Sequence, residues 1–91
     1  AGNRQSAQIM IISSRYREIA ESISTEMRRG VTLIDGEKWF THEPTKVVMV
    51  VCRRYETGVL FKLIKRVDSE AFITYANVMG VYGRGFEPLK K

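Results

Sequence analysis

The chain has 91 residues, of which 44% are hydrophobic and 27% charged, so its composition is that of a globular protein and excludes a disordered or collagen-like chain. This length predicts one hydrophobic core and no second domain. The longest apolar run, residues 47–52, is far short of the ~20 residues that cross a bilayer. A single cysteine excludes an internal disulfide and fits a cytoplasmic protein, and the net charge of +5 favours anionic partners.

The first third of the chain predicts a strand followed by a helix. Residues 1–6 are polar and are expected to form a flexible linker, which leaves residues 7–91 as a single domain. Four consecutive apolar residues at 9–12 predict a strand buried on both faces. Ser13 and Ser14 offer capping hydroxyls to a helix that Gly30 would end in a left-handed conformation. Its apolar residues recur at helical spacing: Tyr16, Ile19, Ala20, Ile23 and Met27.

The remainder predicts a hairpin, a central strand, a second helix and a last strand. The dipeptide at 35–36, Asp-Gly, favours a tight hairpin between residues 31–35 and 39–41. The apolar run 47–52 predicts a central strand. Thr57 is the expected N-cap of a second helix that ends near Asp68, and residues 71–79 predict the final strand.

This order of elements is the split βαβ pattern, so the predicted fold is α+β: a ferredoxin-like βαββαβ sandwich with an inserted β-hairpin. Right-handed crossovers place both helices on one face of a mixed sheet. Because the two central strands are apolar on both faces, we predict that a second copy covers the other face. The alternative is that the hairpin around Trp39 folds back over the sheet of its own chain. Trp39 and Phe40 would then pack within the chain, instead of packing against a partner or stacking on a base.

The glycine-rich turn near the C-terminus is the sharpest local feature. Three glycines surround Arg84, and the amides of Gly83 and Gly85 with this guanidinium predict a site for a phosphate or a carboxylate. The alternative is that the glycines permit a bulge while Phe86 fills the core. The glycine-rich turn is not a dinucleotide-binding motif, because no helix follows it.

Other polar residues are weaker candidates. Thr32 and Arg53 could join the same site only if the fold or a neighbouring subunit brings them together, and surface solvation is the alternative explanation of the Arg53, Arg54 pair. His42 has no nucleophile at a useful spacing, and Cys52 in an apolar strand predicts an inert thiol. No set of residues indicates an enzyme or a metal site.

Three motifs in order resemble a known family: residues 30–32 after the first helix, 68–73 after the second, and 83–86 near the end. From about Ile9 to Phe86 the chain is similar to the soluble C-terminal domain, of unknown function, of YitT-type bacterial membrane proteins. The resemblance implies an attached multipass membrane region, a place at the cytoplasmic face of the cell membrane, and a fold similar to the PII (GlnB-like) proteins. Those proteins are commonly trimers that bind nucleotides between subunits. Lys38 and Trp39 depart from the small residues usual in the family's hairpin.

We therefore predict a non-enzymatic regulatory domain that binds a small anionic ligand, such as a nucleotide, in a cleft between subunits of a homo-oligomer, either a trimer or a dimer. The cofactor is not predicted, and the candidate ligand-binding residues are Thr32, Arg53, Gly83, Arg84 and Gly85. One alternative is a structural oligomerisation domain without a ligand. The other is nucleic-acid binding, which the scattered placement of the basic residues disfavours.

Overall fold

The computed structural model describes residues 5–89 as a four-stranded sheet with both helices packed on one face. The strand order is β2-β3-β1-β4, and all neighbouring strands are antiparallel. The elements are β1 (Ser6–Ile12), α1 (Tyr16–Ser22), a π-helical turn (Ile23–Met27), β2 (Val31–Glu37), β3 (Pro44–Arg53), a 3₁₀ turn (Arg54–Glu56), α2 (Thr57–Val67) and β4 (Phe72–Val78).

The predicted α+β class, with two helices on one face of a sheet, is confirmed. The expectation of a mixed sheet is wrong, because each helical crossover skips one strand position and so leaves antiparallel neighbours on both sides of β1. β1 begins at Ser6, which lies inside the predicted linker, and residues 1–4 of that linker lie outside the described residues. No helix in the described range, 5–89, is long and apolar enough to span a membrane.

One face of the sheet and the two helices enclose the core. Side chains alternate along a strand, so Ile9 and Ile11 of β1 face the helices together with Val48 and Val50 of β3. They meet buried residues of both helical segments, which are Ile19, Ile23, Leu60, Leu63 and Ile64. The amphipathic spacing read from the sequence therefore describes the inner surfaces of both helices correctly.

The opposite side of the sheet, here called the open face, is apolar and uncovered by the helices. Its central members are half-buried: Met10, Ile12, Val47, Met49 and Val51. Ile34 of β2 and Phe72 of β4 extend the same face and are 41% and 62% exposed. The predicted surplus of apolar surface is present, and within residues 5–89 no helix or strand packs over these central members.

β2 and β3 form one long hairpin whose end, residues 35–46, is here called the arm. The predicted tight turn at Asp35 and Gly36 is wrong: both lie within β2 and pair with Lys46 and Thr45 of β3. Strand pairing continues through both residues, and Gly36 has an extended backbone. The pairing of the two strands therefore outweighs the preference of the Asp-Gly pair for a turn. The chain reverses instead at residues 38–43, where the Lys38 amide donates to the Glu43 carbonyl at 2.9 Å.

The arm also excludes the alternative in which the hairpin folds back over its own sheet. Trp39 and Phe40 at the tip are 85% and 93% exposed. Three residue pairs of the hairpin extend beyond the last pair shared with β1, which is about 10 Å at ~3.3 Å a residue. No separate inserted hairpin exists within the described residues; the insertion is an extension of β2 and β3.

Two predicted helix boundaries move. Arg28, with a φ of 59°, takes the left-handed position at the end of the first helical segment, not Gly30. Thr57 does not cap α2, because its hydroxyl donates to the Arg54 carbonyl at 2.9 Å. Glu56 precedes α2 but does not cap it with its side chain; its carboxylate accepts the Arg53 amide at 2.7 Å and so caps the 3₁₀ turn.

Ser13 and Asp68 join the start of the first helix to the end of the second. The Ser13 hydroxyl accepts the Arg15 amide at 2.9 Å and donates to Asp68 Oδ2 at 2.5 Å. Asp68 ends α2, as predicted. The Ser13 hydrogen bond, followed by the amide of Glu70, lowers the pKa of the Asp68 carboxyl below its ordinary value.

Candidate functional site

Four arginines gather where β1, β3 and β4 meet the C-terminal segment, at a place here called the arginine end. Strand pairing opposes Ser6 to both Arg53 and Val78, so the end of β3 and the end of β4 flank the start of β1. Arg54 follows β3 directly. The turn after β4 carries Arg84, and Arg29 enters from the first helical segment to reach the same end.

Phe86 is held between two guanidinium groups. Its ring centroid lies 4.6 Å from Cζ of Arg29 and 4.9 Å from Cζ of Arg53. Both distances fit cation–π contacts, which are worth about 0.5–2 kcal/mol each, depending on desolvation. The alternative in which Phe86 fills the hydrophobic core is wrong, because Phe86 packs between polar side chains at the end of the sheet and is not a member of the core cluster.

The two guanidiniums that hold Phe86 are themselves paired with acidic groups. Arg29 Nη2 lies 2.8 Å from Glu56 Oε1, and the two side chains are 17% and 19% exposed. Arg53 Nη1 donates to the Ser6 hydroxyl at 3.1 Å, and its Nη2 lies 3.9 Å from Glu87 Oε2. Arg53 therefore stands at the predicted site, but its charge already serves contacts within the chain.

The glycine turn has the conformation for which glycine is needed. Gly83 and Gly85 have φ values of 126° and 88°, in the region that side chains disfavour. The Gly83 amide donates to the Glu87 carbonyl at 2.8 Å, and the Phe86 amide donates to the Gly83 carbonyl at 2.9 Å. The Gly83 amide is thus engaged in the turn, whereas Arg84 projects as an exposed side chain.

A cavity of about 400 Å³ lies beside this turn. Ser6 is common to the cavity and to the Arg53 hydrogen bond, so the cavity adjoins the Phe86 contacts. Arg54 lines the cavity. Its Nη1 donates a hydrogen bond to Gln5 Oε1 at 2.7 Å, which orients the guanidinium. The lining residues are Gln5, Ser6, Arg54, Asn77, Val78, Met79 and Gly80. One guanidinium with two side-chain amides and a hydroxyl is a donor set suited to a carboxylate or a phosphate.

Thr32 is not brought to the arginine end. It pairs with Met49 and lies on the open face, four residues along β3 from Arg53, which corresponds to about 13 Å at ~3.3 Å a residue. The residues that sequence reasoning missed are Arg29, Arg54, Gln5 and Asn77. Of these four, only Arg54 could have been found from the sequence, because it is adjacent to Arg53. The other three come from segments distant from Arg53 in the chain.

The site offers no nucleophile in a reactive state. Cys52 is fully buried, and desolvation, reinforced by Glu56, raises the pKa of its thiol to about 11. A protonated thiol is a poor nucleophile and a poor metal ligand. Within residues 5–89, no group of three or more His, Cys, Asp or Glu side chains is placed to hold a metal ion.

The chain is similar to a family of bacterial sequences and to several bacterial membrane proteins. The profile of DUF2179, described as an uncharacterized protein conserved in bacteria, matches residues 29–83. Two Bacillus subtilis proteins, the UPF0750 membrane proteins YxkD and YitT, are each 35% identical to this chain, YxkD over 83 residues and YitT over 74. These matches cover 91% and 81% of this chain but 30% and 26% of the relatives, so the chain spans less than a third of their length. The expected resemblance to YitT-type proteins is confirmed.

Solved structures agree with the fold. The crystal structure of a DUF2179 protein from Eubacterium ventriosum matches with a TM-score of 0.72 and 28% identity, covering 79% of this chain and 99% of that one. A functionally unknown protein from Pediococcus pentosaceus matches with a TM-score of 0.77 at 8% identity, covering 88% and 98%. CutA1 from Oryza sativa matches with a TM-score of 0.66 at 13% identity, and the match covers 90% of this chain and 87% of CutA1. The last two likenesses concern the fold alone.

Proposed function

The chain belongs to the DUF2179 family, and from that premise we propose that it is a regulatory domain of a YitT-type membrane protein. In this proposal the domain binds a small anionic ligand at the arginine end, at the cytoplasmic face of the membrane. It catalyses no reaction and passes its binding state to the attached membrane region. The observation that carries the proposal is the cavity that holds Arg54, Asn77 and Gln5 beside the glycine turn.

The charge of the arginine end favours an anion over a neutral ligand. Four arginines gather there, and the carboxylates that pair with them are those of Glu56 and Glu87. Arg29 and Arg53 are committed to those carboxylates and to Phe86, so they shape the site. Arg54 and Arg84 supply the guanidiniums that contact the ligand. A guanidinium presents a planar fork of N–H donors, which matches carboxylate and phosphate oxygens in pairs.

The predicted site residues thus enter the proposal in different roles. Arg84 contacts the ligand, and Gly83 and Gly85 set the path of the turn that carries it. Arg53 holds Phe86 and Ser6 in place. Thr32 can reach the ligand only if it is supplied by a second copy, because of its distance from Arg53 in the same chain.

The open face supports the homo-oligomer of the proposal. At ~25 cal/mol per Å², a few hundred Å² of apolar surface left in water forgoes several kcal/mol, which is a large share of a small domain's stability of about 5–15 kcal/mol. A second copy packed on this face would recover that free energy and would form a cleft between subunits. Ligand binding could then bias two arrangements of the assembly, provided that the ligand has different affinities for them.

The test is thermal unfolding with a panel of nucleotides and small dicarboxylates. A ligand that binds only the folded state at 100 times its Kd adds about 2.7 kcal/mol of stability and so raises Tm. We expect one class of anion to raise Tm. Arg54→Ala and Arg84→Ala should each weaken binding of that anion at least ~10-fold, because each removes one hydrogen bond from a charged donor. The control is Lys62→Ala, which removes the same charge from an exposed position on α2. A panel without effect, or unchanged affinity in both arginine variants, would refute ligand binding at this end.

One observation favours a second function, that of a structural oligomerisation domain without a ligand. The contacts of Arg29 and Arg53 with Phe86, Glu56 and Glu87 form a closed set within one chain, as expected of a purely structural device. An oligomer whose mass and Tm are unaffected by every anion in the panel would favour this function.

A further inference from the structure

The tip of the arm presents two aromatic side chains in a well-defined arrangement. Trp39 and Phe40 are 85% and 93% exposed, and the turn that carries them is closed by backbone hydrogen bonds. His42 lies edge-on to the Trp39 ring, with centroids 5.8 Å apart and planes at 62°. Its Nδ1 lies 2.7 Å from Glu37 Oε2. The tip is therefore ordered before any partner binds, which lowers the entropic cost of docking.

The tip cannot cover the open face of its own chain. β3 is one continuous strand from the arginine end to the arm, so the arm continues the plane of the sheet away from that face. The chain thus carries two separate apolar surfaces, an aromatic knob at the tip and the open face. Among residues 5–89, no helix or strand covers either surface.

We propose that the tip of the arm of one copy packs on the open face of a second copy. The inference rests on the self-association in the proposed function and deepens it by naming the two surfaces that meet. The contact is heterologous, because a knob meets a face of different shape, and such contacts close into rings when the rotation between copies permits.

The shape of the open face fits this occupant. Ile34, Val47, Ile12 and Phe72 form one row across the four strands, and Met49 and Met10 lie in the next row. Four strands at ~4.8 Å spacing give a face about 15–20 Å wide, which has room for two aromatic rings. The two methionines have flexible side chains that can adjust to a ring.

The area also fits. Aromatic side chains bury about 150–250 Å² each, so Trp39 and Phe40 supply roughly 300–500 Å². A standard interface buries about 800 Å² on each partner. In a closed ring each copy donates one tip and accepts another, so each copy buries roughly 600–1,000 Å² over its two contacts, although a single contact is smaller than a standard interface.

Charge favours a protein surface over a lipid surface as the partner. Anionic membranes attract basic segments. The tip carries two acidic side chains, Glu37 and Glu43, against one lysine, Lys38, which lies 3.9 Å from Glu43. The flanking Lys46 is paired with Asp35. The tip therefore has no positive charge in excess to hold it on an anionic bilayer.

The experiment is complementation between two variants of the 91-residue chain, followed by sedimentation velocity. The tip variant, Trp39→Ser with Phe40→Ser, loses the knob and keeps the face. The face variant, Met49→Glu, loses the face and keeps the knob. Val59→Ser is the matched control, since it removes a 60% exposed apolar side chain from α2. Circular dichroism verifies that each variant is folded.

We expect the wild type and the control to associate, and each of the two variants alone to be monomeric, with self-association weakened at least ~10-fold. Mixed in equal amounts, the variants should form a one-to-one dimer, because one intact knob still meets one intact face. A monomeric wild type, a tip variant that associates like the wild type, or a mixture that stays monomeric would overturn the proposal. Anion-induced stabilisation in the same samples reports separately on ligand binding, so either proposal can fail while the other stands. Binding of the wild type, but not the tip variant, to anionic vesicles without self-association would identify a membrane surface as the partner and also overturn it.

Discussion

Ile11 and Ile12 are neighbours in β1, yet Ile11 is fully buried while Ile12 is half-buried. The same contrast runs across the sheet, from Val48 on the core face to Val47 on the open face. At these central positions the residue types are alike on the two faces, so hydrophobicity alone does not tell them apart. The difference is that both helices pack on one face, and within residues 5–89 no helix packs on the other. The sheet thus has helices on one face only, although the side chains of its central strands are suited to burial on both faces.

A pair of matched truncations tests whether the two faces of the sheet differ in burial. Ile11→Ala should lower the free energy of unfolding by about 2–5 kcal/mol, because it leaves a cavity in a packed core. Ile12→Ala should cost less than about 1 kcal/mol in a dilute sample, since water fills the space. Urea denaturation followed by circular dichroism measures both. Equal losses at a concentration where the protein is monomeric would mean that the open face is covered within the chain.

Thiol labelling compares the two faces directly. The native Cys52 should react with a thiol reagent at pH 8 roughly two orders of magnitude more slowly than in urea, because burial raises its pKa to about 11 and blocks access. A cysteine placed at Val51 in a Cys52→Ala background faces the open side and should react far faster in the native protein. Similar native rates at the two positions would contradict the assignment of faces.

The arginine end shows what happens where the open side does receive a cover. Ser6 belongs to the open face by alternation, yet it is 3% exposed and is bonded by Arg53, on which Phe86 packs. Phe86→Leu keeps the apolar bulk but removes the cation–π contacts, and should lower the free energy of unfolding by about 1 kcal/mol. The control is Phe40→Leu at the exposed tip, for which no change is expected in the monomer. A Phe86→Leu variant as stable as the wild type would show that the arginines do not anchor the turn.

The smallest expected effect lies at the other end of the sheet, where Ser13 bonds Asp68. The pKa of Asp68 is lower in the folded chain than its unfolded value of about 3.9, so the ionised form is favoured by folding. This stabilisation is complete above about pH 4 and is lost as the pH falls through the folded pKa. Asp68→Asn should lower Tm slightly at neutral pH, and its Tm should fall less steeply than that of the wild type below pH 4. Parallel Tm curves from pH 2 to pH 7 would contradict this linkage.

Much of the fold was readable because it depends on neighbours in the chain. The four apolar residues at 9–12 and the run at 47–52 indicated the two central strands, and helical spacing indicated which sides of the helices are buried. The predicted turn at Asp35 and Gly36 failed because pairing with Lys46 and Thr45 outweighs a two-residue preference. Gly30 failed as a helix stop because Arg28 takes the left-handed position two residues earlier.

The candidate site was only partly readable. The glycines at 83 and 85 indicated a bend that carries Arg84, and the structure adds that both glycines have positive φ. The contact of Phe86 with Arg29 could not be predicted, because no local pattern links two residues so far apart in the sequence. The cavity around Arg54 and Asn77 was missed for the same reason, since it exists only where the ends of β1 and β4 lie side by side.

Local patterns were enough to predict the strands, the helices and the surplus of apolar surface on the sheet, because alternation and helical spacing are properties of adjacent residues. Three features could be seen only once the chain was folded: the hairpin extends outward as an arm, Arg53 contacts Phe86 and Ser6, and Thr32 lies far from both. Those outcomes depend on strand register and on contacts between distant segments. Register is set by the summed pairing of whole strands, so no single residue carries it.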